Sequence, residues 1–315
     1  MIPNLASKIT RGASTQTFYT IRFLVDRERV GDAYRAYAYF RWVDDVLDTP
    51  DLRQSRTADG SEALKRIAFL ERQEALLDGA YQGEMPCQVT SQEEMLIQLV
   101  RSDHHKNSGL QQYLQNMMRV MDFDVRRRGK LLSQNELDEY TRWLASAVTE
   151  ALHYFIGHDN YAPRDERRYL AVSAAHIIHM LRDTFDDVQL GYYNVPREVL
   201  HANHMGPEAV DSESYRAWVK SRVLLAREYF NAGKQYFAEV ENARCRLACF
   251  AYIARFEWLL DTIEREGYCL RAQYNERKGA RIGLRMAWLT LASMISRRAG
   301  ETLFRPPASH PLGKA

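Results

Sequence analysis

Two pairs of aspartates define the chemistry this chain could perform. Asp183 and Asp187 lie four apart in the stretch His176–Pro196, HIIHMLRDTFDDVQLGYYNVP, with Arg182 and Asp186 beside them. Asp44 and Asp48 repeat the spacing, with Asp45 adjacent, Arg41 one turn earlier and Tyr37 one turn before that. On a helix, residues three, four and seven apart share a face, so each pair presents two carboxylates together. Such pairs repel by only ~0.2–0.5 kcal/mol on an exposed helix, so one pair alone reads as a solvated face. Two pairs, each with an arginine at a neighbouring turn, point instead to a site that holds cations against an anion. Carboxylate oxygens suit Mg2+, which keeps several waters and bridges one or two carboxylates to substrate phosphates. The metal makes a diphosphate a better leaving group. Arg41 and Arg182 can add charge-assisted hydrogen bonds to the same oxygens.

His176 and His179 share the face of Asp183 and Asp187, opposite Ile177, Ile178 and Leu181. A His–His–Asp–Asp face is compatible with Zn2+ or Fe2+. No second histidine-rich segment supports such a site, and hydrogen bonding within a polar cavity is the expected role. Arg126-Arg-Arg-Gly-Lys130 reads as a solvated helix end, where cations complement the dipole. Recruitment of an anionic substrate or membrane surface is the less favoured reading. Tyr140, Leu144, Ala145 and Val148 form a helical stripe, either plain core or the wall on which an apolar chain lies. Periodicity does not separate the two.

The elements that must position these residues are helical. Nearly every long segment has helical period and none has sustained strand alternation. Helices are expected over Thr15–Leu24, Glu28–Leu47 (ending at Thr49-Pro50), and Ser61–Leu77 (stopped near Gly79). Ser91-Gln-Glu-Glu94 and Ser133-Gln-Asn-Glu136 are capping-box signatures. The first opens a helix broken over 103–109. Leu110, Tyr113, Met117, Val120, Met121 and Asp124 share a face of the next, and the second box opens a helix to about Ile156. Pro163 is expected to start the helix that carries Asp183 and ends by Gly191. Further helices are expected over Tyr215–Phe230, Glu241–Tyr274 and Ala280–Ser296. Residues 1–14 read as an N-terminal extension, 15–298 as one all-α domain around a central cavity, and 299–315 as a loose proline-containing tail. About 140 residues separate the two Asp helices, which lets them face each other across such a cavity.

Composition limits the remaining choices. The chain has 315 residues, 46% apolar, enough for a sizeable core. A net charge of +2 argues against a bulk electrostatic binder of nucleic acid. Cys87, Cys245, Cys249 and Cys269 lack zinc-ligand spacing and read as free thiols of a reducing cytoplasm. No apolar run has signal-peptide or membrane-span length. A cytoplasmic protein is expected, with peripheral membrane association allowed.

These motifs resemble the squalene/phytoene synthase family, whose members join two prenyl diphosphates head to head. The resemblance runs from about Thr17 to Tyr274. Tyr37, Ala38, Arg41, Asp44, Asp45 and Asp48 match the family's first motif, and Thr17-Phe18 stands where the family has Ser-Phe. Met121-Asp-Phe-Asp124-Val is similar to its Met-x-x-Asp-Leu step, and Tyr140 to Thr149 to its Tyr-Cys-x-x-Val-Ala-Gly-x-Val-Gly helix. His176, His179, Arg182, Asp183, Asp186 and Asp187 match its second Asp motif, and Glu257 to Tyr268 its late Ile-x-x-x-Gly-Tyr helix. There are departures. His176 stands for Gln, His179 for Asn, Ser146 and Thr149 for Gly, and Tyr193-Asn-Val-Pro196 alters a Tyr-x-Pro.

The resemblance implies an isoprenoid-synthase-type all-α fold and a Mg2+-dependent prenyltransferase of terpenoid or carotenoid biosynthesis. Its substrates would be farnesyl or geranylgeranyl diphosphate. It implies Mg2+ on Asp44, Asp48, Asp183 and Asp187, and Arg41 and Arg182 on the departing diphosphate. Tyr37 and Tyr140 would flank the carbocation, and Phe18, Leu144, Ala145, Val148, His176 and His179 would contact substrate. Coupling would pass through a cyclopropylcarbinyl diphosphate to a C30 or C40 hydrocarbon, with NADPH needed only for squalene. The histidines and Thr149 keep open a terpene cyclisation or atypical prenyl coupling. A catalytically silent binding or assembly relative is the third reading; four mutually repelling carboxylates argue against it.

Overall fold

The computed structural model describes residues 2–48, 60–84, 88–158 and 160–274, with side chains omitted for 2–4 and 60–63. Among them lie eleven α-helices and no strand. They are α1 Ile2–Ala13, α2 Thr15–Leu24, α3 Val30–Leu47, α4 Gly60–Gln82, α5 Glu93–Ser102, α6 Gly109–Arg127, α7 Gln134–Phe155, α8 Leu170–Leu190, α9 Arg197–Ala202, α10 Glu213–Glu239 and α11 Ala243–Arg265. The Thr49-Pro50 stop, Cys87, the Ala280–Ser296 helix and the tail lie outside the described residues.

Helix α8 is central. Its first half, Ala171 to Ile178, is buried at every position. Small residues make this possible, because Ala171, Ala174 and Ala175 let neighbouring helices approach closely. Gly233 of α10 is the tightest case: a Cβ there would sit 2.5 Å from the Ala171 Cβ, which only a glycine avoids. Helices α7, α10 and α11 pack on α8, while α3 packs on α1, α5 and α6, and α6 on α7. The two Asp helices, α3 and α8, are thereby joined through α6 and α7.

Local chemistry explains where the helices begin and end. The Ser133–Glu136 capping box is formed, with Ser133 N donating to Glu136 Oε2 (2.7 Å). Gly191 ends α8 in the left-handed region at φ 83, where a side chain would be strained. Some expectations shift. The first capping box is one residue early: Thr90 N donates to Glu93 Oε2 (2.8 Å) and Glu93 N to Thr90 Oγ1 (3.2 Å). Gly79 lies inside α4, which continues until Gly83 turns it at φ 84. Pro163 does not start α8; a 3-10 turn over Glu166–Tyr169, capped by Asp165, comes first. Helix α11 stops at Arg265 because Gly267 turns left-handed at φ 65. Residues 2–13, read as an extension, form a helix against α3. Cys245, Cys249 and Cys269 are free thiols.

Candidate active site

Helix α3 delivers Arg41, Asp44 and Asp45 from its last turns, with Asp48 as its C-cap. Arg41 Nη1 donates to Asp44 Oδ2 (3.0 Å) and its Nη2 to Asp45. Burial raises the Asp44 pKa, and Asp48, Asp45 and Asp124 add to the rise against Arg41. Asp124, on α6, is raised by burial and by Asp48, against Arg127 and Tyr140. Asp187, on α8, feels both Asp183 and Asp124. Carboxylates from three helices therefore lie within one another's field, and Asp124 is the group between the two Asp pairs.

A hydrogen-bonded chain fixes that convergence. Tyr140 OH donates to Asp124 Oδ2 (2.9 Å) and Arg127 Nε to Asp124 Oδ1 (2.7 Å). Arg127 Nη1 donates to Asn194 Oδ1 (2.8 Å), and Asn194 Nδ2 to Asp187 Oδ2 (2.7 Å). The Arg127 guanidinium also lies 5.0 Å from the ring centroids of both Tyr140 and Tyr192, close enough for cation–π attraction. Arg127 is buried, so the basic run is not merely a solvated helix end. Arg126 does face outward to Asp122 (2.6 Å), whereas Arg128 Nε donates to Leu190 O (2.9 Å) and Gly129 N to Gly191 O (2.7 Å), tying α6 to the end of α8.

On α8, Arg182 grips Asp183 through Nε and Nη2, both at 2.6 Å. His179 Nε2 stands 3.2 Å from Asp183 Oδ2. The surrounding protein and then Arg182 lower the His179 pKa to about 4, so at neutral pH this is a neutral imidazole contact. His176 does not make the hydrogen bonds expected of it in a polar cavity: it is 5% exposed, and its ring meets Tyr140 edge-on at 4.9 Å. Burial pushes its pKa down to about 3, and neither ring nitrogen has a hydrogen-bond partner. Tyr140 is held between His176 and Phe123, which stacks on it at 5.0 Å.

Of the expected apolar contacts, Leu144 and Val148 are half-buried and Ala145 fully buried on α7. Thr149 is buried with no partner for its hydroxyl. Tyr37 is half-buried against the core and lies near enough to interact with Arg41. Phe18, on α2, is stacked on Tyr34 at 5.5 Å. Sequence reasoning missed Arg255 of α11, which donates from Nη1 to Gln16 Oε1 (3.2 Å). Burial and then Arg182 lower its pKa, so two guanidinium groups lie close together here. Asp124 was visible only as a motif step, and Asn194 only as a motif departure.

Asp187 supplies a pH-dependent prediction. Burial, then Asp183 and Asp124, push its pKa up to about 6 against the Asn194 amide and Arg127. A folded pKa above the unfolded ~3.9 means that stability is lost as pH rises from about 4 to about 6. Asp187→Asn removes that loss. In EDTA at neutral pH the variant should be more stable by about 1–2 kcal/mol, a rise of a few degrees in melting temperature. The gap should close below about pH 4, where wild-type Asp187 becomes protonated in both states. Circular dichroism melts read it directly, and a variant that melts lower at neutral pH would overturn the electrostatic account.

The model of the squalene/phytoene synthase family matches residues 10–281. Among solved structures, squalene synthase HpnC from Alicyclobacillus acidocaldarius superposes with a TM-score of 0.64 at 21% identity, covering 86% of this chain and 95% of that one. A dehydrosqualene synthase in complex with ligand superposes with a TM-score of 0.64 at 15% identity, covering 96% and 97%. No curated protein matches. With the family model spanning most of the chain and the same all-α fold in both structures, this protein belongs to the squalene/phytoene synthase family.

Proposed function

We propose that the chain is a Mg2+-dependent prenyl transferase that condenses two allylic prenyl diphosphates head to head. The observation that carries this reading is the convergence of Asp44, Asp48, Asp124, Asp183 and Asp187 within one field, beside Arg41, Arg182 and Arg255. The donor set is all carboxylate, as a hard cation requires. Among the described residues no three His, Cys, Asp or Glu side chains form a closed ligand set, so a cation here needs phosphate oxygens and water to complete its shell. Asp44, Asp48, Asp183 and Asp187 would hold Mg2+. When bound, Mg2+ neutralises diphosphate charge and eases its departure.

The chain's own residues do the rest. Arg182 turns from Asp183 toward the leaving diphosphate, and Arg255 and Arg41 complete its cradle with charge-assisted bonds. Tyr37 offers an aromatic face to the allylic cation, whereas the Tyr140 ring is taken up by Phe123 and Arg127 and acts through its hydroxyl. The Tyr140 hydroxyl is committed to Asp124, and its pKa lies well above that of an ordinary phenol, through burial and then Asp124, so it keeps its proton. Leu144, Ala145, Val148 and Thr149 form the wall for the prenyl chain, and the Thr149 methyl narrows it where the family carries glycine. Coupling through a cyclopropylcarbinyl diphosphate gives a C30 or C40 hydrocarbon.

The test is incubation of purified protein with Mg2+ and farnesyl or geranylgeranyl diphosphate, with and without NADPH, following diphosphate release and hexane-soluble products together. A linear C30 or C40 product supports the reading and identifies the substrate. No release with either substrate overturns it. The unpartnered His176 nitrogens favour a second reading, in which the same site ends in cyclisation or atypical coupling. Under it, wild type gives a cyclic or single-substrate product, and His176→Gln shifts the product distribution while diphosphate release continues. An unchanged distribution would remove His176 from the choice of product.

A further inference from the structure

The inner side of helix α2 is accounted for: Ile21 is buried and Phe18 stacks on Tyr34. Gln16, on the face of Tyr19 and Phe23, meets Arg255. The outer side of α2 carries Tyr19 and Phe23, 47% and 69% exposed, their rings stacked 5.9 Å apart. Phe23 is the most exposed large apolar side chain among the described residues. Two solvated rings one turn apart forgo burial that aromatic side chains normally gain.

Charge distinguishes this patch further. Residues 2–25 contain Lys8, Arg11 and Arg22 and no acidic residue. All three are exposed. Arg11 lies 5.6 Å over the Phe18 ring, next to Tyr19. The first acid, Asp26, is turned inward, where it accepts from Arg244 (2.5 Å) and from the backbone N–H of Gly157 (2.8 Å). Within residues 2–25, then, the basic charge of Lys8, Arg11 and Arg22 meets no acidic residue. Exposed aromatics flanked by cations, without acids, are complementary to the headgroup region of a bilayer carrying anionic lipid.

We propose that α1 and α2 dock this protein on an anionic bilayer surface. Tyr19 and Phe23 enter the headgroup–acyl boundary, and Lys8, Arg11 and Arg22 meet lipid phosphates. The contact is peripheral, since no described helix is long and apolar enough to cross a membrane. Its purpose rests on the prenyl-transferase reading. Through Gln16 and Arg255, α2 borders the arginine end of the carboxylate site, so a docked protein can exchange apolar chains with the bilayer without passing them through water.

The test separates docking from catalysis. The full chain is sedimented with vesicles of phosphatidylcholine alone, or of phosphatidylcholine and phosphatidylglycerol in equal parts, and the supernatant is assayed for protein. Depletion is expected with the anionic vesicles only, and it should weaken as salt screens the cations. Phe23→Ser should weaken binding about tenfold or more, and Arg22→Ala about fivefold. Both positions are exposed, and an unchanged circular dichroism spectrum confirms that the variants fold. Failure to sediment with anionic vesicles overturns the proposal, as does binding indifferent to Tyr19→Ser and Phe23→Ser together. A concentration-dependent dimer abolished by Phe23→Ser would also overturn it, assigning the patch to a second copy. Vesicle binding without prenyl turnover would leave docking intact and remove the enzymatic reading.

Discussion

Asp44→Asn and Asp183→Asn should each abolish prenyl turnover, by about a thousandfold or more, while the helical circular dichroism spectrum stays unchanged. The size follows from what each carboxylate is proposed to do. Preorganised charge aimed at a developing anion contributes about 3–4 kcal/mol per group, two to three powers of ten in rate, and a carboxylate that also ligates the cation adds to that. The spectrum should hold because neither charge supports the fold. Asp44 is 41% exposed and is held against its neighbours' repulsion. Asp183 is gripped by Arg182 and His179 from its own helix, so its loss frees local groups and breaks no contact between helices. If both pairs serve one diphosphate, the double variant should be no slower than the worse single variant, because parts of one assembly are not additive. Near-normal turnover in both single variants would sink the metal-site assignment. A collapse of helicity would show instead that these aspartates are structural.

The contrast between these aspartates and Arg127 shows what the sequence could reveal. Spacing alone put Asp44 beside Asp48 and Asp183 beside Asp187, since the helix itself creates those neighbours. The Ser133–Glu136 box and the Gly191 stop were legible for the same reason: each is made by residues three or four apart. Arg127 was read as part of a solvated helix end because its partners are remote. Asn194 is 67 positions away, and the two rings beside it come from α7 and from the segment after α8. Asp124 likewise matters through its place between two helices that the chain visits about 60 residues after and 80 residues before it. Arg255 meets α2 across 239 positions. His176 illustrates the converse error. Its spacing assigned it to the face of the aspartates, but the close approach of α7, which brings Tyr140 against its ring, makes it a buried, neutral group. Local boundaries failed where two solutions compete, as with Thr90 taking the cap offered by Ser91, or the 3-10 turn that delays α8 past Pro163.

That turn carries the interaction whose loss should cost most stability. Arg168, on the turn before α8, forks onto Glu150 of α7 through Nε (2.7 Å) and Nη2 (2.9 Å). Its Nη1 reaches Tyr236 OH of α10 (2.7 Å), and Tyr169 OH donates to Glu150 (2.9 Å). Both charged side chains are about nine-tenths buried. Burial alone would raise the Glu150 pKa; the Arg168 fork and the Tyr169 hydroxyl outweigh it and hold the pKa below the usual range. Arg168→Met leaves that carboxylate buried and uncompensated, and should destabilise the protein by about 3–5 kcal/mol, a large fraction of a typical 5–15 kcal/mol. The deficit has a pH signature. In wild type the depressed pKa contributes stability above about pH 4.5 that is lost on acidification. In the variant, burial raises the Glu150 pKa, so a stability cost appears at neutral pH and disappears as the carboxyl protonates. The gap should therefore narrow as pH falls toward about 4 and close only below it, as the wild-type carboxylate also protonates. Glu150→Gln added to Arg168→Met should recover part of the loss at neutral pH, because a neutral amide there needs no counter-ion. Denaturant unfolding of wild type and the two variants across that pH range decides it. A deficit under about 1 kcal/mol, or one that does not change with pH, would show that the pair does not hold α8 against α7 and α10.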